Sequence, residues 1–453
     1  MSVGTAPPRP LLRVYLGFLG PMVLTNILQS MSGSLNAVYI GQLLGTDALA
    51  AVASMFPVVF FFIALIIGVG AGASVLIGQA WGAGDRARVK AIAGTTLSLG
   101  MAIGLIAAVL GSVTARPALV ALGTAPTLMP DAVAYAQVLM LSMPVLLVFI
   151  LCTQLLRGVG DTLTPLCALG LSTAVGLVLT PALILGWGGL PRLGILSAAV
   201  ASWLSFGVAL TFLWVYLRSR NHPLAPDAEL RRVLRVEPRL LAAVLSIGVP
   251  TSVQMVTIAL AELAILALIN RYGADATAAY GAVTQIVNYV QFPALSIAIT
   301  ASILGAQAIG AKRTDRLPAI VRAGLWLSGV LTGALVLVCY LLARWLLGFF
   351  ITTPTVLELA RTLLQVMLWG CVVFGMQAVL AAVMRASGTV WAPTAISVGC
   401  IVLVQLPTAH ILSSRLGLKG VWLSYPVVFC TMLALQGAFY RLVWRYQRIE
   451  RLV

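Results

Sequence analysis

Polar residues along this chain are placed so that long apolar runs lie between them. The runs are continuous and do not alternate every second residue, so they read as helices and not as barrel strands. Cut at Gly, Pro and charged clusters, they give twelve spans long enough to cross a hydrocarbon core, which takes about 20 apolar residues. The first half gives 15–43, 51–80, 92–115, 131–156, 164–187 and 195–217; the second gives 243–270, 278–309, 318–343, 357–384, 392–413 and 420–442.

Composition assigns the solvent around those helices. Apolar residues make up 61% of the 453 positions and charged residues 9%, where a soluble fold carries about 25% charged residues. Most of the chain must therefore face lipid, and a large soluble enzyme, a secreted disulfide scaffold and a disordered protein are all excluded. The net charge of +16 does not mark a nucleic-acid partner, because the basic residues are scattered over short loops and not gathered on one face. Of the 28 Lys and Arg residues, 21 fall on the side of the N-terminus, the loops after the even-numbered spans and the tail, and 7 on the other. The positive-inside rule makes the first side cytoplasmic. Both termini are then cytoplasmic, which requires an even number of spans. The first apolar stretch is too long for a signal-peptide core and is expected to stay as a membrane helix. Six cysteines lie in or beside apolar runs with no CxxC pair, and there are two histidines. No metal site and no cofactor are expected from them.

The chain also matches itself at an offset of 228 residues. Gly45, Asp47 and Ala51 answer to Gly273, Asp275 and Ala279; Ser74, Gln79, Gly82 and Ala83 to Ser302, Gln307, Gly310 and Ala311; Arg157, Gly160 and Pro165 to Arg385, Gly388 and Pro393. Asp, Gln and Arg are too rare in this composition to coincide at one offset by chance. Each repeat has six spans, so both enter the membrane from the same side as parallel repeats, the architecture of a secondary transporter. The expected division is a cytoplasmic segment 1–14, a six-helix lobe 15–218, a cytoplasmic linker 219–240, a six-helix lobe 241–443 and a basic tail 444–453.

These motifs, in this order, have a precedent. With Gly78, Gln79, Gly82 and Gly84 after the second span, Arg157 to Pro165 after the fourth, their second-half echoes, and Asn36 to Gly41 in the first span, the chain resembles the multidrug and toxic compound extrusion (MATE) family, within the wider superfamily of polysaccharide and lipid flippases. The resemblance covers nearly the whole chain. It implies an all-α polytopic membrane protein whose two pseudo-symmetric six-helix bundles form a V-shaped cleft. It further implies a cation-coupled antiporter, no enzyme, that exports organic cations, drugs or toxic compounds across a bacterial-type inner membrane, with H⁺ or Na⁺ as transported ion and a monomer in the bilayer. Many members carry an aspartate in the first helix at the position of Asn36, and some a carboxylate in the tenth at that of Phe374. Neither acid is present here: Asn36 puts coupling through the N-terminal lobe in doubt, and with Phe374 a rich carboxylate cage for Na⁺ is absent.

Of 12 acidic residues only Glu262 lies well inside a span. An acid there costs about 2.5–3.5 kcal/mol on insertion scales, which makes it a functional candidate by default. It is the expected coupling residue, taking up and releasing a proton or pairing with Na⁺ or an organic cation. Gln285, Asn288 and Gln291 share one face of the eighth span with Tyr289 beside them, Gln254 is two turns below the acid, and Gln377 is in the tenth span; together these are the expected polar surround, with Gln405 and His410 as further candidates. Phe60, Phe61, Met140, Met143, Phe374 and Met376 are expected to line the cleft, since aromatic faces suit flat cations and methionine suits varied ligands. A flippase for a lipid-linked or polysaccharide precursor is the alternative, disfavoured because no basic residue lies deep in any span. A non-transporting scaffold gives no reason for a buried acid, and a membrane-embedded enzyme lacks a catalytic constellation at depth.

Overall fold

The computed structural model describes residues 11–121, 123–124, 126–225, 227, 236–351 and 353–452. The expectations for residues 1–10, for the linker stretch 228–235 and for Val453 lie outside it. Among the described residues there is no strand, and helix follows helix. The first six spans are Leu11–Leu44; Thr46–Ser54 continued by Phe56–Gly82; Arg86–Ala121; Met129–Leu141 continued by Met143–Val159; Leu163–Leu185; and Leu196–Ser219. The last six are Pro238–Asn270; Ala274–Gly310; Leu317–Leu341; Pro354–Met367 continued by Gly370–Ala386; Trp391–Cys400 and Leu406–Leu416 joined through a π-helical turn at Ile401–Gln405; and Leu418–Leu442. Eleven are long and apolar enough to cross a membrane, and the fourth, bent by 47° at Ser142, makes twelve. Pro144 sits at the start of the second half of that span, where it offers no N–H to the turn before it.

The repeat is written into the backbone. Gly45 and Gly273 have φ of 92° and 97°, Gly160 and Gly388 95° and 85°, and Gly189 and Gly417 84° and 60°. Each pair is 228 apart and takes a left-handed conformation that glycine adopts at little cost.

The chain forms two compact units, Leu24–Ser252 and Val253–Leu452, the latter also taking in the helical residues 11–23. The boundaries do not follow the expected lobes 15–218 and 241–443. They fall inside the first and seventh spans, each two residues past a proline, Pro21 and Pro250. A proline within a helix removes one ladder hydrogen bond and bends the axis, so the two parts of each helix pack with different partners. At the start of the first span, Tyr15 is wholly buried and donates to the Ile320 carbonyl at 3.0 Å. At the start of the seventh, Gly248 fits against Val69, and the Ser252 hydroxyl donates to the Leu65 carbonyl at 3.1 Å.

Each repeat ends by folding back on its own loops. After the sixth span Leu224 and Ala225 are buried, Lys90 pairs with Asp227 at 2.6 Å, and His222 Nε2 lies 3.8 Å from Asp161. After the twelfth, buried Trp444 donates from its indole to Ser387 at 2.9 Å, and Leu452 lies against Gly388. Leu224 and Leu452 are again 228 apart. The Arg157 and Asp161 motif and its echo thus carry a plain structural task. Asp161 also accepts from the Thr164 amide at 3.0 Å at the start of the fifth span, and Arg157 donates to Gln154 at 3.2 Å.

Candidate functional site

Glu262 stands on the seventh span, eight residues before its end at Asn270, about 12 Å along the axis. Ala261, Ile265 and Ile269 on the same helix are buried, while Glu262 is exposed. At 100° per residue it lies on the flank of that buried stripe. Among the described residues it has no hydrogen-bond or ion-pair partner. In the same unit stand Tyr280 on the eighth span and Tyr425 on the twelfth, whose rings share an apolar cluster with Ile265 and Ile269 of the seventh. Both rings are buried, and their oxygens are 2.7 Å apart. The acid is therefore accessible on a helix whose buried stripe packs into the interior. Tyr425 leads into an aromatic series: its ring centroid is 6.4 Å from that of Phe429, which is 5.2 Å from that of Phe374. Phe429 also packs against the cluster holding Ala261. Phe374, predicted to line a cleft, thus belongs to the neighbourhood of the acid.

The expected polar surround does not close on Glu262. Gln254 accepts from Arg385 at 3.5 Å. Gln291 lies 4.0 Å from the Cys371 sulfur. Gln377 is buried, and its Oε1 has no partner among the described residues. Gln285, Asn288 and Tyr289 are exposed on one face of the eighth span, Tyr289 edge-on to Phe292. Gln405 is buried in the π-helical turn, and His410 is exposed. Met140 and Met143 are corrected outright: both are fully buried, Met140 packing against Gly111, so they fill the core and line no open surface. They flank the bend of the fourth span, and apolar periodicity alone does not say which way such residues turn. Phe61 is 52% exposed, Phe60 and Met376 half-buried.

Asn36 sits in a second site that the sequence reading largely missed. Within the unit Leu24–Ser252 a cavity of about 40 Å³ is lined by Ser32, Asn36 and Tyr39 of the first span, Ser172, Gly176, Leu177 and Thr180 of the fifth, and Ser202, Ser205 and Phe206 of the sixth. One water needs about 10–15 Å³ of such space, so the cavity has room for about three. Thr180 donates to Asn36 Oδ1 at 3.2 Å, which leaves the amide hydrogens of Asn36 to donate. Gly176 keeps the space open, because a methyl there would meet the Ser205 hydroxyl at 3.3 Å. The lining is hydroxyls, one amide and aromatic faces, with no carboxylate, histidine or basic residue. The four-residue steps Ser32–Asn36 and Ser172–Gly176–Thr180 were the available signal. Among the described residues no three of His, Cys, Asp and Glu gather as a metal site would require.

Comparison with known proteins places these sites in context. The family model described as MatE matches the chain twice, over residues 21–182 and 250–411. The chain is 41% identical over 438 residues to the "Probable multidrug resistance protein YoeA" of Bacillus subtilis (strain 168), covering 96% of this chain and 95% of that protein. It is 28% identical over 418 residues to the "FAD transporter" of Shewanella oneidensis, covering 92% of each. Among solved structures, the outward-facing conformation of a multidrug resistance MATE family transporter superposes with a TM-score of 0.88 at 20% identity, covering 96% of each chain. At that identity the likeness speaks for the fold alone.

Proposed function

The chain belongs to the MatE family, and from that premise we propose that it is a cation-coupled antiporter. It exports organic cations, drugs or toxic compounds across the inner membrane by alternating access, with both termini in the cytoplasm. Glu262 is the coupling group. The observation that carries this reading is the one acid well inside a span, accessible on its helix.

A proton is the ion this arrangement supports best. Na⁺ takes several oxygen ligands, and no second carboxylate accompanies Glu262. The polar cavity around Asn36 offers hydroxyl and amide groups but nothing that changes charge near neutral pH. Its part in the cycle is to bind polar groups by hydrogen bonds, while Glu262 alternates between proton and substrate. Exchange of one proton for one monovalent organic cation moves no net charge. The drive is then the pH gradient alone, about 1.4 kcal/mol per unit, and the membrane potential adds nothing.

The test is efflux of ethidium from proteoliposomes under an imposed pH gradient or an imposed Na⁺ gradient, with Glu262→Gln beside the wild type. The wild type is expected to respond to the pH gradient, and Glu262→Gln to lose that response while inserting normally. Full coupling in Glu262→Gln would place the ion elsewhere, and a response to Na⁺ alone would replace the proton.

A further inference from the structure

We infer that the segment from Arg441 to Leu452 is a binding surface for anionic phospholipid. Its four arginines hold headgroup phosphodiesters, while Leu442, Val443 and Tyr446 enter the edge of the acyl layer. This goes beyond the transport reading and holds whichever ion couples export.

The twelfth span brings the segment to the membrane surface. Val427, Cys430, Ala434 and Ala438 are exposed along it at three- and four-residue steps, with Leu435 beside them. Such a stripe of apolar and small residues is the side that a spanning helix turns to acyl chains. The next step reaches Arg441, exposed in the last turn of the helix. The chain beyond it is pinned to its own unit by one side. Trp444 is buried, stacks on Tyr440 with ring centroids 5.2 Å apart, and donates to Ser387 at 2.9 Å. Thr389 donates to Gln447 at 3.4 Å, Ile449 packs on the apolar cluster of the eighth, ninth and tenth spans, and Leu452 lies against Gly388. These anchors fix what is turned outward. Leu442 is 75% and Tyr446 79% exposed, and Val443, Arg445, Arg448 and Arg451 are exposed with them.

Among the described residues none of the four guanidiniums has a hydrogen-bond or ion-pair partner. Each presents five N–H donors in a planar fork, which phosphate oxygens match in pairs. Glu450 is the one acid between Arg441 and Leu452, so the segment carries a net positive charge. Four basic residues directly after a spanning helix are the footprint that anionic headgroups recognise. The apolar neighbours select a lipid over any other phosphate. Leu442, Val443 and Tyr446 stay in water against a soluble anion, whereas a bilayer surface takes up the apolar and the basic side chains together. Because Trp444, Ile449 and Leu452 already order the backbone, little chain entropy is lost on binding.

The experiment measures hydrogen exchange of the amides of residues 444–452 in the full chain, in nanodiscs of phosphatidylcholine alone or with about one-third phosphatidylglycerol. Exchange in the wild type is expected to be at least roughly fivefold slower in the anionic discs, the gain a single basic residue makes at such a surface. High salt is expected to narrow that difference. With Arg441→Gln, Arg445→Gln, Arg448→Gln and Arg451→Gln combined, exchange is expected to be alike in both discs. The four Lys substitutions at the same positions keep the charge and are expected to keep most of the difference. Should the Gln combination already exchange faster than wild type in pure phosphatidylcholine, its anchors are loosened, and Arg448→Gln alone takes its place with a partial loss expected. Equal exchange of the wild type in the two discs overturns the inference. So does a full difference retained in the Gln variants. Equal slowing by inorganic phosphate in pure phosphatidylcholine discs overturns it too, because the ligand is then a free anion and not a lipid.

Discussion

The seat of residues 238–252 of the seventh span offers a measurable test of helix packing within the unit Leu24–Ser252. A methyl group at Gly68 of the second span would stand 2.6 Å from the Gly248 carbonyl oxygen and 2.7 Å from the Ser252 nitrogen. Both are backbone atoms that no rotamer change moves aside. Ordinary contact begins near 3.4 Å, so in Gly68→Ala the two helices must part by roughly 0.8 Å or distort. Overpacking of this kind costs about 1–3 kcal/mol, against a helix-propensity gain of about 1 kcal/mol for Gly to Ala. Gly329 in the ninth span has nothing within 4 Å of the same added atom, so Gly329→Ala takes the gain without the clash. The melting temperatures of the two purified variants should therefore differ, Gly68→Ala being the lower. At about 2–4 °C per kcal/mol the gap is expected to be several degrees. Gly68→Ala should also lower the efflux rate, because the displaced helix is the one that carries the acid. Equal melting temperatures for the two variants would refute the close approach of these helices.

Two further outcomes follow from the folded-back segments. Burial lowers the pKa of His222 more than the charge of Asp161 raises it, and His222 Nδ1 accepts from the Leu224 amide at 3.2 Å, which only the neutral ring can do. A base whose folded pKa is depressed stabilises its docked state fully above the ordinary histidine value and loses that stability as pH falls through the lowered one. Hydrogen exchange at the Leu224 amide, corrected for intrinsic rates, should thus accelerate between pH 8 and pH 5.5, and His222→Gln should remove the acceleration; a flat wild-type profile would count against docking through this ring. In the tail, Gly388 has φ of 85° and its missing Cβ would lie 2.8 Å from Leu452. Gly388→Ala should release residues 444–452, read as faster proteolysis of the tail and a blue-to-red shift of Trp444 emission, whereas Gly329→Ala should leave both unchanged.

The number and order of spans were legible because lipid demands long apolar helices, and little else in a sequence produces them. The repeat was legible because the same left-handed glycines are needed at the same turns of both halves. What could not be read was the direction in which apolar or hydroxyl side chains turn within a helix that is apolar all round. Met140 and Phe61 are alike by hydropathy, yet one fills the gap beside Gly111 and the other is exposed. Gln254 looked like a neighbour of Glu262 on a helical wheel, but Arg385 takes it. Tyr280 and Tyr425 lie 145 residues apart, so no local pattern announced that their hydroxyls meet. Nor does a proline within an apolar run say which partners its two flanks choose.

That choice decides what a half of this protein is. Because the opening turns of the polypeptide seat in the body built by its later portion, and residues 238–252 in the body built by its earlier portion, a break in the connection 219–240 would leave each fragment without a piece the other owns. Neither product would fold in isolation as a complete bundle. Produced together, they should recover a working transporter by complementation, each lending the other its missing segment.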